Sequence, residues 1–450
     1  MRVNCNISAI VANNKLGKAQ TNLDKALERL SSGLKINSAE DDAAGLAIAN
    51  KLHTQIKGLD RATKNSSDGI SVVQTAESAL NEAENILQRI RELSVQAANG
   101  TNNDDDRKAI QAEIDQLTDE IDRIANSTEF NTMSLLDGTL SRRCYSDKND
   151  VDIISVTTSV DAAKYDINIV EVGTKATANV DLTLLVGKEG NITLNDASIK
   201  IDKKDTLSDI SAKFMGMCDI ANLSYDSSSN TISTKDYGIA QKIEYSSTGG
   251  LENVKCVNNI KEGKDAKIQT ITTKDGFKDT ATIAVNGNTA VIKDFNGFEM
   301  IVELGEKAVT GNVQLEVTDM GTMSVQLGAN ESQTLEVDIP RIDTHTLGLE
   351  NINVCTQKGA SSAIEKLDNA INVVSAARSR LGAYQNRLES AVTHLESYKL
   401  NMTSAVSTIE DADMAEEMTE YTQQNVILQA ATSMISQANE RPQSVLQLLQ

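Results

Sequence analysis

IEKLDNAINVVSAARSRLGAYQNRLESAVTHLESYKLNM, residues 364–402, decides the fold. Leu367, Val374, Leu381, Leu388, Leu395 and Met402 recur at every seventh residue. Ile364, Ile371 and Val392 fill the companion position, whereas Arg378, Gln385 and Lys399 interrupt it. Sustained apolar a and d positions predict a helix with a coiled-coil-like seam. A helix of about 40 residues is roughly 60 Å long at about 1.5 Å per residue. Its stability must come from packing an apolar face on another part of the chain.

The matching surface lies at the other end of the sequence. Residues 1–129 contain no proline and no Phe, Tyr or Trp. Leu16, Leu23 and Leu30 repeat by seven, with Leu27 one turn after Leu23, and predict a first helix. Gly33 interrupts it. Ser38, followed by Asp41 and Asp42, predicts the start of a second helix, because a hydroxyl accepts from orphan N–H groups and acids suit the positive end. Leu52, Leu59, Val73, Leu80 and Leu87 share one heptad position along it, and Ile86, Ile90, Leu93 and Ala97 continue the stripe. Asn99-Gly-Thr-Asn102 reads as a turn, and Asp104-Asp-Asp106 as the next helix start. Ile110, Ile114, Leu117, Ile121 and Ile124 then predict a helix folded back as an antiparallel hairpin. At the far end, Leu428, Ala431, Ile435 and Ala438 share one face, before Pro442, Val445-Leu446 and Leu448-Leu449. That stripe is thin and needs a partner.

From about residue 141 the apolar period changes to two. Tyr165, Ile167 and Ile169 alternate with polar residues, and so do Val313, Leu315 and Val317. Thr282–Val285, Asn286-Gly287 and Ala290–Ile292 predict a tight hairpin. Thr206–Phe214 predicts one short helix. All five Phe lie within residues 130–298. The centre is therefore one or two β-rich inserted domains.

Bulk properties narrow the function. A chain of 450 residues should hold two to four domains. A net charge of −21 argues against a nucleic-acid partner. Residues 1–60 hold eight basic and six acidic side chains, while 401–450 hold one basic residue, Arg441, and seven acidic ones. If the ends meet, this asymmetry favours their pairing. Cys5, Cys144, Cys218, Cys256 and Cys355 are odd in number and widely spread, so they read as separate thiols rather than a disulfide framework. No apolar run is long enough to span a membrane. Met1-Arg-Val-Asn-Cys-Asn6 lacks the apolar core of a cleaved signal peptide, so any export is expected to follow another route.

No catalytic constellation emerges. His53, His345 and His394 lie in no HExxH arrangement. Asp104–Asp106 lacks the alternating ligands of a calcium loop and suits a helix start better. Glu416-Glu417 is an ordinary helical pair. P-loop, GxGxxG and GxSxG patterns are absent. The expectation is a non-enzyme without cofactor or metal, an assembly subunit whose two ends meet.

Longer stretches carry a family resemblance. Leu30-Ser-Ser-Gly-Leu-Lys-Ile-Asn37, Ser38-Ala-Glu-Asp-Asp-Ala-Ala-Gly45, Asn85-Ile-Leu-Gln-Arg-Ile-Arg-Glu-Leu93 and Thr128-Glu-Phe-Asn131 closely resemble bacterial flagellin. So do Leu381-Gly-Ala-Tyr-Gln-Asn-Arg-Leu-Glu389, Ile409-Glu-Asp-Ala-Asp413 and Gln437-Ala-Asn439 with Pro442-Gln443. Val325-Gln-Leu-Gly-Ala-Asn-Glu331 and Leu347-Gly-Leu349 resemble the hairpin that this family packs beside its core helices. The likeness covers about residues 1–140 and 323–450, not the middle. In many relatives the hairpin precedes the insert; here it follows. Thr408 stands where many relatives carry Arg.

The resemblance implies a mainly α fold with a β insert: a discontinuous coiled-coil-like helical core from both termini, a β-hairpin and an inserted β-rich domain. Residues 1–40 and 405–450 would form inner-tube helices. Residues 41–140 and 323–404 would form the outer-tube helical core, and 141–322 the variable surface domain. Leu16, Leu23, Leu30, Leu428, Ala431 and Ile435 become the expected polymerisation core. Implied partners are other copies in a helical homopolymer, a flagellar export chaperone, and the filament cap and hook-junction proteins. The chain would leave the cell through the flagellar type III apparatus. The flagellin-sensing Toll-like receptor of vertebrates is a further implied partner, with Gln88, Arg89, Leu93 and Glu113 matching the family's receptor patch. A hook–filament junction protein, and an adhesin acting through the insert, are the alternatives. A peptidase in the insert is disfavoured by the missing HExxH between 141 and 322.

Overall fold

The computed structural model describes residues 6–157, 159–252, 254–272, 276–318 and 320–448, without the side chains of Asn296 and of residues 441–448. Cys5 and Leu449 lie outside the described residues, as do the side chains of Pro442, Val445, Leu446 and Leu448. The chain divides into two compact units. One comprises Met1–Ser67, Gln326–Thr334 and Glu389–Gln450; the other comprises Asp68–Val325 and Leu335–Leu388.

In the first unit, helix α1 (Ile7–Ser32) runs antiparallel to helix α6 (Met414–Leu448). Asn6 Nδ2 donates to the Ala438 carbonyl at 2.8 Å, and Arg29 Nη1 to Glu417 Oε1 at 3.1 Å. Asn6 also caps α1, accepting from the N–H of Ala9. Gly33 ends α1 in the left-handed region, at φ 73°, and its N–H donates to the Arg29 carbonyl. A side chain there would be strained, so this glycine is a termination device.

Helix α2 (Ala43–Ala98) begins later than Ser38. Asp42 Oδ1 accepts from the N–H groups of Ala44 and Gly45 and supplies the cap. Asp41 instead closes a turn, accepting from the N–H groups of Asn37 and Ser38 and the Ser38 hydroxyl. Two acids in a row hid which of them caps. Farther along α2, Leu59 and Ala62 bury with Leu395 of helix α5 (Gln357–Glu410), and Met402 packs against them. A Cβ on Gly58 would lie 2.8 Å from that of Ala329. The tip of the hairpin formed by Met323–Gln326 and Thr334–Val337 therefore sits directly on the helix backbone.

The second unit holds the rest of α2, helix α3 (Asp104–Ser127), the first part of α5 and the insert. α3 starts with a capping box in which Asn103 and Asp106 serve each other's backbone N–H. Leu80, Leu87, Ile90, Ile114, Ile121, Leu367, Val374 and Leu381 are buried, as the heptads predict. Arg107 is buried as well: Nε donates to the Ala97 carbonyl at 3.0 Å and Nη2 to that of Asn99 at 3.2 Å. It satisfies the orphan carbonyls ending α2 and so fixes the turn into α3.

The insert has two hydrophobic cores. An outer frame pairs two four-stranded antiparallel sheets. One follows the order Lys267–Ile271, Lys164–Glu171, Gly311–Val317, Cys144–Ser146; the other follows Thr282–Asn286, Thr289–Lys293, Glu299–Leu304, Val151–Val156. Ile167, Ile169, Ile292, Val302, Val313 and Leu315 fill the space between them. The tight hairpin is present, but its loop is Gly287-Asn288 rather than Asn286-Gly287, with Asn286 paired to Thr289. Gly287, the first loop residue, carries the positive φ of 63°. A second lobe is nested between residues 176 and 257. There α4 (Leu207–Ile220), longer than the sequence predicts, packs Ile210, Phe214, Met217 and Cys218 against short strands.

Candidate functional site

Helices α1 and α6 each have two apolar sides. Along their mutual contact, Leu23 is buried and Leu16, Leu30, Leu428, Ala431 and Ile435 are half-buried. Away from it, Ile7, Ile10, Val11 and Leu27 of α1 are exposed, as are Met418, Val426, Ile427 and Met434 of α6. Among the described side chains of α6, only Glu417 is fully buried. Such a pair buries little and offers much, which is the physical character of a surface that associates. Leu27 belongs to the stripe by spacing, yet it faces away from α6. A seven-residue repeat does not tell an internal contact from an external one.

An ion pair and a histidine hydrogen bond join the two parts of the chain, and heptad reading found only the charge bias. Arg29 meets the buried Glu417, and His53 Nε2 lies 2.8 Å from Glu410 Oε2. The backbone joins in: the Lys35 N–H donates to the Glu410 carbonyl and the Ala412 N–H to that of Gly33. Two of the residues that interrupt the α5 seam, Arg378 and Lys399, take ionic partners. Lys399 Nζ sits 2.7 Å from Asp60 Oδ1 and holds that carboxyl below its ordinary range. Arg378 forks between Glu77 at 2.7 Å and Glu84 at 2.6 Å on α2. Arg91 Nε donates to Asp368 Oδ1 at 2.6 Å. None of these partners was legible without knowing the helix register.

Gln88, Arg89 and Glu113 come together on an exposed face of the second unit. Arg89 Nη2 donates to Glu113 Oε1 at 2.9 Å across the α2–α3 hairpin, and Arg89 Nη1 reaches Glu92 at 3.4 Å. Gln88 donates to Glu84 one turn back. Leu93 differs: it is 3% exposed and packs into the bundle. Its part in this group is to support the helix, and little of it is open to a partner.

The thiols are muted. Burial pushes Cys144 up to about 11 and Cys218 up to about 12, and Cys256 and Cys355 also upward. A protonated buried thiol is a poor nucleophile. Among the described residues, no group of His, Cys, Asp and Glu is arranged to hold a metal ion. No described helix is long and apolar enough to cross a membrane.

Comparison with known proteins matches both helical ends. Residues 3–141 match the bacterial flagellin N-terminal helical region, and residues 364–449 the C-terminal helical region. The chain is 35% identical to a flagellin of Clostridium tyrobutyricum, over 98% of this chain and 100% of that one. It is 34% identical to a flagellin of Salmonella choleraesuis, over 99% of each. Polar flagellin B/D of Vibrio parahaemolyticus is 33% identical, over 100% of this chain and 99% of the relative.

Proposed function

The chain belongs to the bacterial flagellin family, and from that premise we propose that it polymerises with copies of itself into the flagellar filament through its terminal helices. The family is structural, the subunit of the flagellar filament. The observation that carries the proposal is the outward apolar row on α1 and α6, Ile7, Ile10, Val11, Met418, Val426 and Ile427. In this reading residues 1–40 and 405–450 line the inner tube, 41–140 and 323–404 form the outer tube, and 141–322 faces outward.

The thin burial of α6 supports a further step: the terminal helices gain their full stability only on assembly, when neighbours cover the apolar row. Limited proteolysis tests this. The monomer should lose roughly its first and last 40 residues while the polymer resists. Ends equally resistant in monomer and polymer would overturn the reading.

Export through the flagellar type III apparatus, escort by an export chaperone, and contact with the hook-junction and cap proteins belong to the same proposal. So does recognition by the vertebrate flagellin-sensing Toll-like receptor, with Gln88, Arg89 and Glu113 as exposed contacts and Leu93 beneath them. The exposed Arg89–Glu113 pair supports it, because a planar guanidinium on an open helix face is a common interface anchor.

A further inference from the structure

The nested lobe of the insert meets the helical bundle through polar groups. On the lobe these are Asp196, Asp236 and Glu244; on α5 they are Lys358 and Lys366. Lys366 Nζ lies 2.8 Å from Asp236 Oδ2, with both side chains about a quarter to a third exposed (32% and 22%). Lys358 Nζ lies 3.1 Å from Glu244 and 3.4 Å from Asp196. Asn351 Nδ2 also donates to Asp236, and Asn353 Nδ2 to the Asp219 carbonyl at the end of α4. Every basic group of the ion pairs is on the helix and every acid on the lobe.

The lobe's core, around Phe214, Met217 and Ile232, contains no residue of α3 or α5. Between lobe and bundle lies an open gap of about 1100 Å³, with Lys108, Gln111 and Asp115 of α3 on one side and Lys213 and Asp219 of α4 on the other. Two short chain crossings carry the lobe, and they pair where the N–H of Thr174 meets the Lys264 carbonyl. The lobe has its own core; besides the crossings it meets the frame where the Ile239 N–H donates to Asp265 and Gly238 approaches Gly287, and it meets the bundle through ion pairs and hydrogen bonds.

We propose that the nested lobe is a charge-latched cover over the α3–α5 side of the bundle, held by Lys358 and Lys366 against Asp196, Asp236 and Glu244. Half-exposed ion pairs are weak and screened by salt. The latch therefore opens and closes with ionic strength and widens the gap that Cys355 lines. The insert then presents two surfaces, one closed and one open.

Cys355 supplies a native reporter. It is nearly buried and lines the gap between lobe and bundle. Cys218 and Cys256 lie inside the lobe's own core and report its unfolding instead. The experiment is alkylation of the monomeric full chain by a small maleimide, with the rate at each cysteine read by mass spectrometry. Lys366→Glu should speed labelling of Cys355 by about fivefold or more, because it replaces attraction to Asp236 by repulsion. Cys218 and Cys256 should stay slow. The double variant Lys366→Glu with Asp236→Lys should return Cys355 to the slow rate. An unchanged Cys355 rate in Lys366→Glu would overturn the latch. So would acceleration at all three cysteines together, which marks unfolding rather than opening.

Discussion

At the scale of single residues, the Arg89 group separates two kinds of contribution. Arg89 and Glu113 are exposed and paired, whereas Leu93 is buried. Arg89→Ala should weaken binding of the monomer to the receptor ectodomain by about 2 kcal/mol with little change in melting temperature. Leu93→Ala should behave the opposite way, costing roughly 2–5 kcal/mol of stability as a cavity opens in the bundle. Calorimetry and binding on the two variants check both; a stable Leu93→Ala protein with lost binding would place Leu93 at the contact after all. Asp343 makes a pH prediction. Burial alone would raise its carboxyl, but the N–H and hydroxyl of Thr346 and the Arg341 guanidinium hold it below its ordinary value. A depressed value means stability present above the ordinary aspartate range and lost as pH falls through the folded value. Asp343→Asn should therefore melt lower than the parent at pH 7, and the difference should shrink towards pH 3. A gap that stays constant with pH would show that the carboxylate's charge contributes nothing.

At the scale of elements, the helices were legible because one physical rule governs them. An apolar stripe marks α2, α3 and α5, and the sevenfold row Leu367, Val374, Leu381 and Leu388 is buried where the spacing puts it. Its buried companions in α5, however, are Ala363, Ala370 and Ala377, while Ile364, Ile371 and Val392 are only half-buried, because a small side chain suits the closest approach of the helices. Ends were less legible, since a cap depends on which of several adjacent acids reaches the backbone; Asp42 does so and Ser38 does not. The Gly287-Asn288 loop was misplaced by one residue, because Asn286-Gly287 also suits a tight turn and only the strand register separates them. Two cores in one insert were not separable from alternation alone, which records a face and not the partner it meets. Long-range ion pairs such as Arg378 with Glu77 and Glu84 were beyond reach for the same reason. On α6, Val426 is 61% exposed. Val426→Asp should leave the monomer's melting temperature unchanged and abolish polymer formation in light scattering. Normal polymerisation of that variant would remove the outward row of α6 from the assembly contact.

At the scale of the whole molecule, the terminal helices and the insert do different work. The insert fills its own cores, and its chain enters near Cys144 and leaves near Val317 as paired strands. Deleting residues 145–320 should leave a folded helical protein that still polymerises; one that folds yet never assembles would make the insert part of the subunit contact. Self-assembly of this chain into a filament is the proposal on which the rest depends. Electron microscopy of the purified full chain after salt-induced assembly tests it most directly. Long, regular filaments that dissociate to monomer and re-form are expected. A protein that stays monomeric at every salt and protein concentration tried, or halts at short stubs, would contradict it.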